Sequence, residues 1–399
     1  MKKKLWIVSE FYYPVVTSTG FYMTEISEYL VSKGMDVHVI CTGAKYNEIE
    51  NYHPKKFEIH NGVHIHRVLM AEINKNNFVK RAFRLFLSSI FLAFKILKNV
   101  KRGEELLVVT NPAFLLALIP VISFFKEIHY KLLVHDIFPE NLVAIKKINI
   151  SSLGYKILKM IFDKSYVNAD LCISIGRDMT EVIKRKTKGK TKVELIPNWA
   201  DNKEVFPLRK EETRLYNQLE IPGFIFQFAG NLGYAQGLDN ILSAISLVEN
   251  KYISFLFIGG GAKAEVIKAF GEQKENVIYI GFQERSMQKD FLNTCDVAIV
   301  TLSDGMYGLG VPSKSYNIMA AGKPILYIGD EKSEIALCIK EYNIGWLVKP
   351  DDPYGLKNMI EYIYQNKDSL ISIQNNARLV ADTVFAKERI LNRYYTLLS

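Results

Sequence analysis

Short, uninterrupted apolar runs alternate along the whole chain with helix-length segments of 3.6-residue periodicity, and this rhythm constrains the fold more than any other feature. Runs such as Leu106-Leu107-Val108-Val109 and Leu171-Cys172-Ile173-Ser174-Ile175 lack the polar alternation of a half-exposed strand. They are the runs expected of parallel strands covered on both faces. Strands are expected near 4–9, 36–42, 63–68, 106–110, 130–135, 170–175 and 193–196, and again near 224–229, 253–259, 277–281, 296–302, 324–328 and 345–348. Helices fill the gaps, among them 21–33, 153–168, 176–187, 237–249, 284–294 and 353–366. Two sets of strands alternating with helices give an α/β chain of two doubly wound, Rossmann-like domains. Pro197, Pro207 and Pro222 punctuate a charged stretch where the two sets join. Residues 1–200 and 201–380 are therefore read as the domains, with 381–399 belonging to a last helix near 377–397 that carries Leu391, Tyr394, Tyr395 and Leu398 on one face. Ligands of open α/β sheets bind beyond the carboxyl ends of the strands, so the site is expected in a cleft between the domains.

Charge separates the halves. Residues 1–200 carry 30 basic and 18 acidic side chains, residues 201–399 carry 21 and 24. The basic half suits an acidic partner: nucleic acid, an anionic membrane surface or a phosphorylated substrate. Nearly half of the 399 residues are apolar and 23% are charged, which excludes a disordered chain. Cys41, Cys172, Cys295 and Cys338 lie far apart, with no paired spacing and no histidine at zinc spacing, so a reducing cytosol is the natural setting. The opening Met1-Lys2-Lys3-Lys4 resembles the start of a signal peptide, but only five residues separate it from Glu10, and they read as a first strand. Leu85 to Leu97 and Ala113 to Phe125 are the most apolar stretches, and both are too short to span a membrane.

Glycine clusters end several of the expected strands. Ser18-Thr19-Gly20 follows the first strand and precedes a helix expected from Phe21, an arrangement in which Gly20 lets backbone amides approach an anion. A plain strand-to-helix turn fits it as well. In the second half, Gly230-Asn231-Leu232-Gly233-Tyr234-Ala235-Gln236-Gly237 follows Phe226-Gln227-Phe228-Ala229, and its glycines and two carboxamides suit a diphosphate and sugar hydroxyls. Gly259-Gly260-Gly261 closes the next strand. Pro312 to Ala321 reads as a helix capped by Ser313 and ended by Gly322, with Pro324 opening the next strand. Lys314 in its first turn opposes the helix dipole, which favours an acid there, and a cation so placed makes sense facing a phosphate, the competing reading being a plain surface lysine.

These motifs make the chain recognisable. It resembles family 4 of the retaining, nucleotide-sugar-dependent glycosyltransferases of GT-B fold, in the bacterial O-antigen, capsule and colanic-acid branch related to fucosaminyltransferases. The resemblance rests on the opening strand–glycine loop–helix, His135-Asp136-Ile137-Phe138-Pro139-Glu140, Ile196-Pro197-Asn198-Trp199, the loop Gly230 to Leu238, and Val311-Pro312-Ser313-Lys314 through Ala321-Gly322-Lys323-Pro324. It implies a C-terminal helix crossing back onto the first domain and a donor site of Gly20, Gly230, Asn231, Gln236, Phe282, Ser313, Lys314 and Asn317. Many relatives have Arg and Lys where Asn231 and Gln236 stand, and a Glu pair where Tyr307 and Asn317 stand. Lys314 is then left as the charge on the diphosphate, with Glu334 a further candidate for the ribose or a surface-loop residue. No DxD triplet occurs, so no metal is expected on the diphosphate, and no cofactor either.

The implied reaction moves a sugar from a nucleoside diphosphate, UDP, to a polyprenyl-diphosphate-linked saccharide. His135, Asp136 or Glu140 would orient the acceptor hydroxyl or take its proton, with a structural cap at the strand end as the competing reading. A peripheral place at the inner membrane face follows, and Phe78 to Arg102 suits it, with Lys80, Arg81, Arg84, Lys95, Lys98, Lys101 and Arg102 among phenylalanines and leucines. A core helix with solvated ends fits that stretch equally. His64 and His66 share a face of a predicted strand but have no third ligand in view, so they read as a structural pair. The basic run Lys184-Arg185-Lys186, Lys188, Lys190, Lys192 ends a helix without interleaved aromatics and reads as a solvated helix end rather than a nucleic-acid patch. Two rivals stay open: a UDP-sugar 2-epimerase of the same architecture, and a non-catalytic sugar-nucleotide binding subunit.

Overall fold

The computed structural model describes residues 3–15, 17–43, 53–70 and 78–399, and the side chains of Phe78, Val79 and Arg81 lie outside the described residues. The chain divides into two compact units. One comprises Met1–Pro197, Gly308–Gly310 and Leu391–Ser399, the other Asn198–Tyr307 and Val311–Ile390.

The first unit is built on an eight-stranded sheet of β1 (Lys4–Val8), β2 (Asp36–Thr42), β3 (Phe57–His60), β4 (Val63–Val68), β5 (Glu105–Val109), β6 (His129–Val134), β7 (Leu171–Ser174) and β8 (Lys192–Leu195), in the order β3-β4-β2-β1-β5-β6-β7-β8. Every pair is parallel except β3–β4. Leu5, Ile7 and Val8 of the central β1 are fully buried, as strands covered on both faces require. The antiparallel β3 has no counterpart in the sequence reading. It joins β4 through Asn61-Gly62, both at positive φ (+47° and +80°), the two-residue hairpin turn that matches strand twist.

The second unit carries β9 (Phe224–Ala229), β10 (Ile253–Ile258), β11 (Val277–Tyr279), β12 (Val297–Thr301), β13 (Ile325–Ile328) and β14 (Gly345–Val348), all parallel, in the order β11-β10-β9-β12-β13-β14. Alternate residues of β9 enter two cores. Phe224, Phe226 and Phe228 pack with Phe255 and Phe257 on one face, and Ile225 packs with Leu256 and Ile258 on the other. Each such buried side chain is worth about 1.5–3 kcal/mol of transfer free energy, so the two layers fix the strand's register.

Element boundaries agree with expectation to within a few residues, with three differences of substance. The helix after β1 begins at Ser18, capped by Thr17. The helix after Pro312 is only Lys314–Ala320, and Ser313, though at its cap position, makes no side-chain cap bond. The last helix is two, Leu370–Thr383 and Lys387–Leu398, separated where Phe385 turns into the core and its carbonyl accepts from the Ala200 amide at 2.8 Å. Among the described residues no helix is long and apolar enough to cross a membrane.

Candidate active site

In the second unit, two glycine loops meet at the carboxyl ends of β9 and β10. The Gly230 amide donates to the Ile258 carbonyl (2.8 Å), and the Leu232 amide donates to the Gly260 carbonyl (2.9 Å). A Cβ on Gly259 would stand 1.8 Å from the Gly230 carbonyl oxygen, and Gly259 holds φ +139°. No side chain fits, so the backbones touch and the end of the sheet is left open. A Cβ on Gly261 would strike the Asn231 Oδ1 at 2.7 Å, and one on Gly233 would come within 3.0 Å of Asn231 and 3.1 Å of Gln236. The glycines thus make room for the two carboxamides singled out in the sequence. Asn231 is exposed, and the Gln236 Oε1 is buried without a hydrogen-bond partner.

Lys314 reaches this loop. Its Nζ lies 3.4 Å from the centroid of the Phe228 ring and its side chain runs past Gly230, 3.6–3.7 Å from where a Cβ there would sit. The Nζ is buried with no hydrogen-bond partner, and burial pushes the amine down to about 7. An ammonium in this state has lost its water and gained no anion, a costly arrangement that a ligand phosphate would relieve. Lys314 leads a seven-residue helix, too short for its dipole to carry the argument.

The other expected donor residues divide. Phe282 is 58% exposed in the loop beyond β11. Asn317 is engaged at both ends of its carboxamide: Oδ1 accepts from the Asp201 amide at 2.8 Å and Nδ2 donates to Gln288 Oε1 at 2.9 Å. It ties the fold together. Glu334 is buried at the start of the helix Glu334–Tyr342, which removes its surface-loop reading. Gln227 and Asn240, buried with unpartnered carboxamides near the same strand and the following helix, went unnoticed in the sequence. A cavity of about 490 Å³ lies instead at the amino end of β9, beside Lys210 and Asp296, which pair at 2.8 Å, with Lys367 and Asp368 also on its wall.

In the first unit, His135 and Asp136 follow β6 directly. Both amides donate to the Thr110 hydroxyl, at 3.1 and 3.2 Å, so the polar residue that ends the apolar run of β5 sets this turn. The His135 Nε2 is buried without a partner, and burial holds the ring down at about 4, hence neutral. Surrounding protein pushes the Asp136 carboxyl up to about 6, although its side chain is exposed and water on that open face works against the rise. The segment Gly308–Gly310 closes over the turn: the Leu309 carbonyl accepts from the Ile137 amide (3.3 Å), and the Gly308 amide donates to Asp178 Oδ2 (3.2 Å). Gly308 has φ +68°, and a Cβ there would strike Val182 at 2.5 Å.

Four sequence readings in this unit need correction. The Gly20 amide is taken by the Thr17 hydroxyl at 3.1 Å, and a Cβ on Gly20 would meet the Val15 carbonyl at 2.5 Å, so this glycine serves a close backbone approach. Glu140 accepts from Lys159 at 2.7 Å and Lys186 at 2.8 Å, both of which also reach Asp163. It belongs to a buried charge network, and the Lys186 side chain, 1% exposed, is no solvated helix end. Arg84 turns inward to Glu10, 2.8 Å away and 1% exposed, and so does not face a membrane.

Comparison with known proteins agrees with this architecture. Residues 211–380 match the family described as "Glycosyl transferases group 1". The chain is 41% identical over 293 residues, 73% of each chain, to "Probable glycosyltransferase WbjE" of Pseudomonas aeruginosa. It is 23% identical over 96% of each chain to "Putative colanic acid biosynthesis glycosyl transferase WcaI" of Escherichia coli strain K12. The crystal structure of Anabaena HepE in complex with UDP and glucose superposes with a TM-score of 0.74, covering 99% of both chains at 14% identity, and shares the GT-B fold. By its two parallel-sheet units and its similarity to WbjE, this chain belongs to the group 1 glycosyltransferases.

Proposed function

We propose that this chain is a retaining, metal-independent transferase that moves a hexosyl or N-acetylhexosaminyl unit from UDP to a polyprenyl-diphosphate-linked saccharide in bacterial surface-polysaccharide synthesis. The observation that carries the donor half is the buried, unpartnered ammonium of Lys314 beside the Gly230–Gly237 loop. In this reading the diphosphate docks against the loop, Asn231 and Gln236 take sugar or phosphate oxygens, and the exposed Phe282 lies against the base. As the bond from the sugar's anomeric carbon to the diphosphate breaks, Lys314 stabilises the charge growing on the leaving oxygen, the electrostatic term that often dominates catalysis. The acceptor oxygen attacks from the same face, and its proton passes to the departing phosphate. Asp136, with neutral His135 beside it, orients the acceptor hydroxyl. HepE crystallised in complex with UDP and glucose, and the relative described as "Putative colanic acid biosynthesis glycosyl transferase WcaI" bears on the pathway, which supports the donor and pathway classes.

A membrane-held acceptor is supported by the first unit's surface. The neighbouring helices Phe78–Asn99, Ala113–Lys126 and Leu153–Val167 leave Phe94, Phe124, Phe125 and Leu153 between 62% and 78% exposed, with Lys98, Lys126 and Lys156 on the same helices. Apolar side chains among lysines suit an anionic bilayer surface.

A calorimetric screen of nucleoside diphosphates and their sugars tests the donor assignment: UDP compounds should bind the wild type and bind Lys314→Ala far more weakly. Incubation with the bound donor alone then separates transfer from epimerisation, since only an epimerase converts it without acceptor.

A further inference from the structure

The histidines set aside in the sequence as a bare pair acquire partners when the sheet assembles. β2 and β4 are neighbours, with His38 directly opposite His64 and Asp36 two residues earlier on the same face of β2. The His38 and His64 rings stack, centroids 4.5 Å apart and 14° from parallel. Asp36 Oδ1 lies 3.2 Å from His38 Nε2 and 4.0 Å from His64 Nε2, and one ligand atom from each residue falls within 4.8 Å of the other two. Donor atoms on a shared tetrahedral ion, with bonds of about 2.1 Å, stand about 3.4 Å apart. Asp36 and His64, each about a third exposed, have the freedom to close the remaining gap of up to about 1.4 Å and to turn the His64 ring out of its stack so that its Nε2 faces the ion. His66, two residues on and on the same face, takes no part as a ligand. Its Nε2 lies 3.1 Å from His38 Nδ1, the outer hydrogen bond that fixes a ligating imidazole's tautomer and leaves Nε2 free for a metal.

We propose that Asp36, His38 and His64 form a site for a divalent transition metal of zinc type, with water completing the coordination on the open side. Two cations face the cluster, Lys4 and Lys95, the first paired with Glu104 at 3.2 Å. They oppose a hard cation held by charge alone, such as calcium or magnesium, and select a metal that bonds imidazole nitrogen strongly. His38 precedes the carboxyl end of β2 by four residues, about 13 Å, so the site is set back from the end of the first unit's sheet where His135 and Asp136 lie, and none of its ligands is used in the proposed transfer. A metal here would clip the start of β2 to β4. The metal-free alternative has His38 donating from Nε2 to Asp36 and accepting at Nδ1 from His66.

The test uses the full chain without a polyhistidine tag, stripped with a chelator and titrated with zinc by calorimetry, with the visible spectrum of the cobalt form as a second readout. One equivalent should bind and raise the melting temperature. His64→Gln and Asp36→Asn should weaken binding at least 100-fold and abolish the thermal rise, while melting as the wild type does in chelator. His66→Ala should weaken it ~10–100-fold. His129→Ala, at a separate exposed histidine, should change nothing. Failure of the wild type to bind one equivalent, or undiminished binding by both His64→Gln and Asp36→Asn, would overturn the site.

Discussion

The ammonium of Lys314 lies 3.4 Å from the centre of the Phe228 ring and has no hydrogen-bond acceptor. The ring face offers a desolvated cation about 2 kcal/mol, less than the hydration it has lost. The pair is therefore a strained resting state, and a diphosphate docked as proposed would release the strain. Mutation, pH and ligand should each reveal this.

Lys314→Ala should lower turnover by at least ~100-fold, the cost of removing one electrostatic contact to developing charge. Lys314→Met, which keeps the length of the side chain, should lose activity equally yet gain about 1–3 kcal/mol of stability, because it removes an unpartnered buried charge. The sign follows from linkage. The amine titrates near 7 in the folded chain and near 10.4 unfolded, so the wild type gains stability as pH rises between those values. The advantage of Lys314→Met should be full below pH 7 and shrink toward pH 10. Thermal melts of both proteins across that range check it, and a destabilised Lys314→Met would contradict the account.

Donor binding should carry the same signature. In the proposed site a bound diphosphate would raise the Lys314 pKa, so affinity for UDP should fall as pH rises above about 7, by up to tenfold per unit until the bound-state value is reached. Calorimetry from pH 6 to 9 measures the slope. It should vanish in Lys314→Met, and an equal slope in the variant would assign the titration to another group.

How much of this was legible beforehand depends on whether the signal was local. β9 with its glycine loop, and Gly322 ending a helix before a strand, are chain-local patterns and were read correctly. The Asn61-Gly62 turn was equally local, yet β3 went unread because Phe57 and Ile59 point outward, 49% and 58% exposed, and give no buried periodicity. What the sequence could not give was partnership across the chain. Glu140 sits in an acceptor-like motif, but Lys186, 46 residues later, claims it. Asn317 stands in the donor motif, but the Asp201 amide, 116 residues earlier, occupies it. Gly20 looked ready for an anion until Thr17, three residues away, took its amide.

The Lys186 network gives a prediction that separates fold from function. Lys186→Met leaves Glu140 and Asp163 facing each other with only the half-exposed Lys159 between them. Breaking a buried pair from one side costs about 3–5 kcal/mol. The melting midpoint in urea should fall accordingly, while UDP binding by the folded fraction is unchanged. If Lys186→Met lost UDP affinity without losing stability, the network would belong to the site after all.

The glycine contact makes the sharpest geometric prediction. Gly259→Ala forces a methyl group to within 1.8 Å of the Gly230 carbonyl, from a backbone φ of +139° that alanine avoids. The two loops must separate, and the Gly230 amide must release the Ile258 carbonyl. Because the damage is confined to the end of the sheet, the two phenylalanine-lined layers of β9 should still fold, at a cost of about 3 kcal/mol or more in strain. UDP affinity should drop beyond detection, since Lys314 is placed by its passage along Gly230. Gly260→Ala is the control: no atom stands within 4 Å of a Cβ at Gly260, so this neighbour should bind UDP as the wild type does. Equal loss in both variants would mean that the loop's sequence matters for some reason other than this close approach.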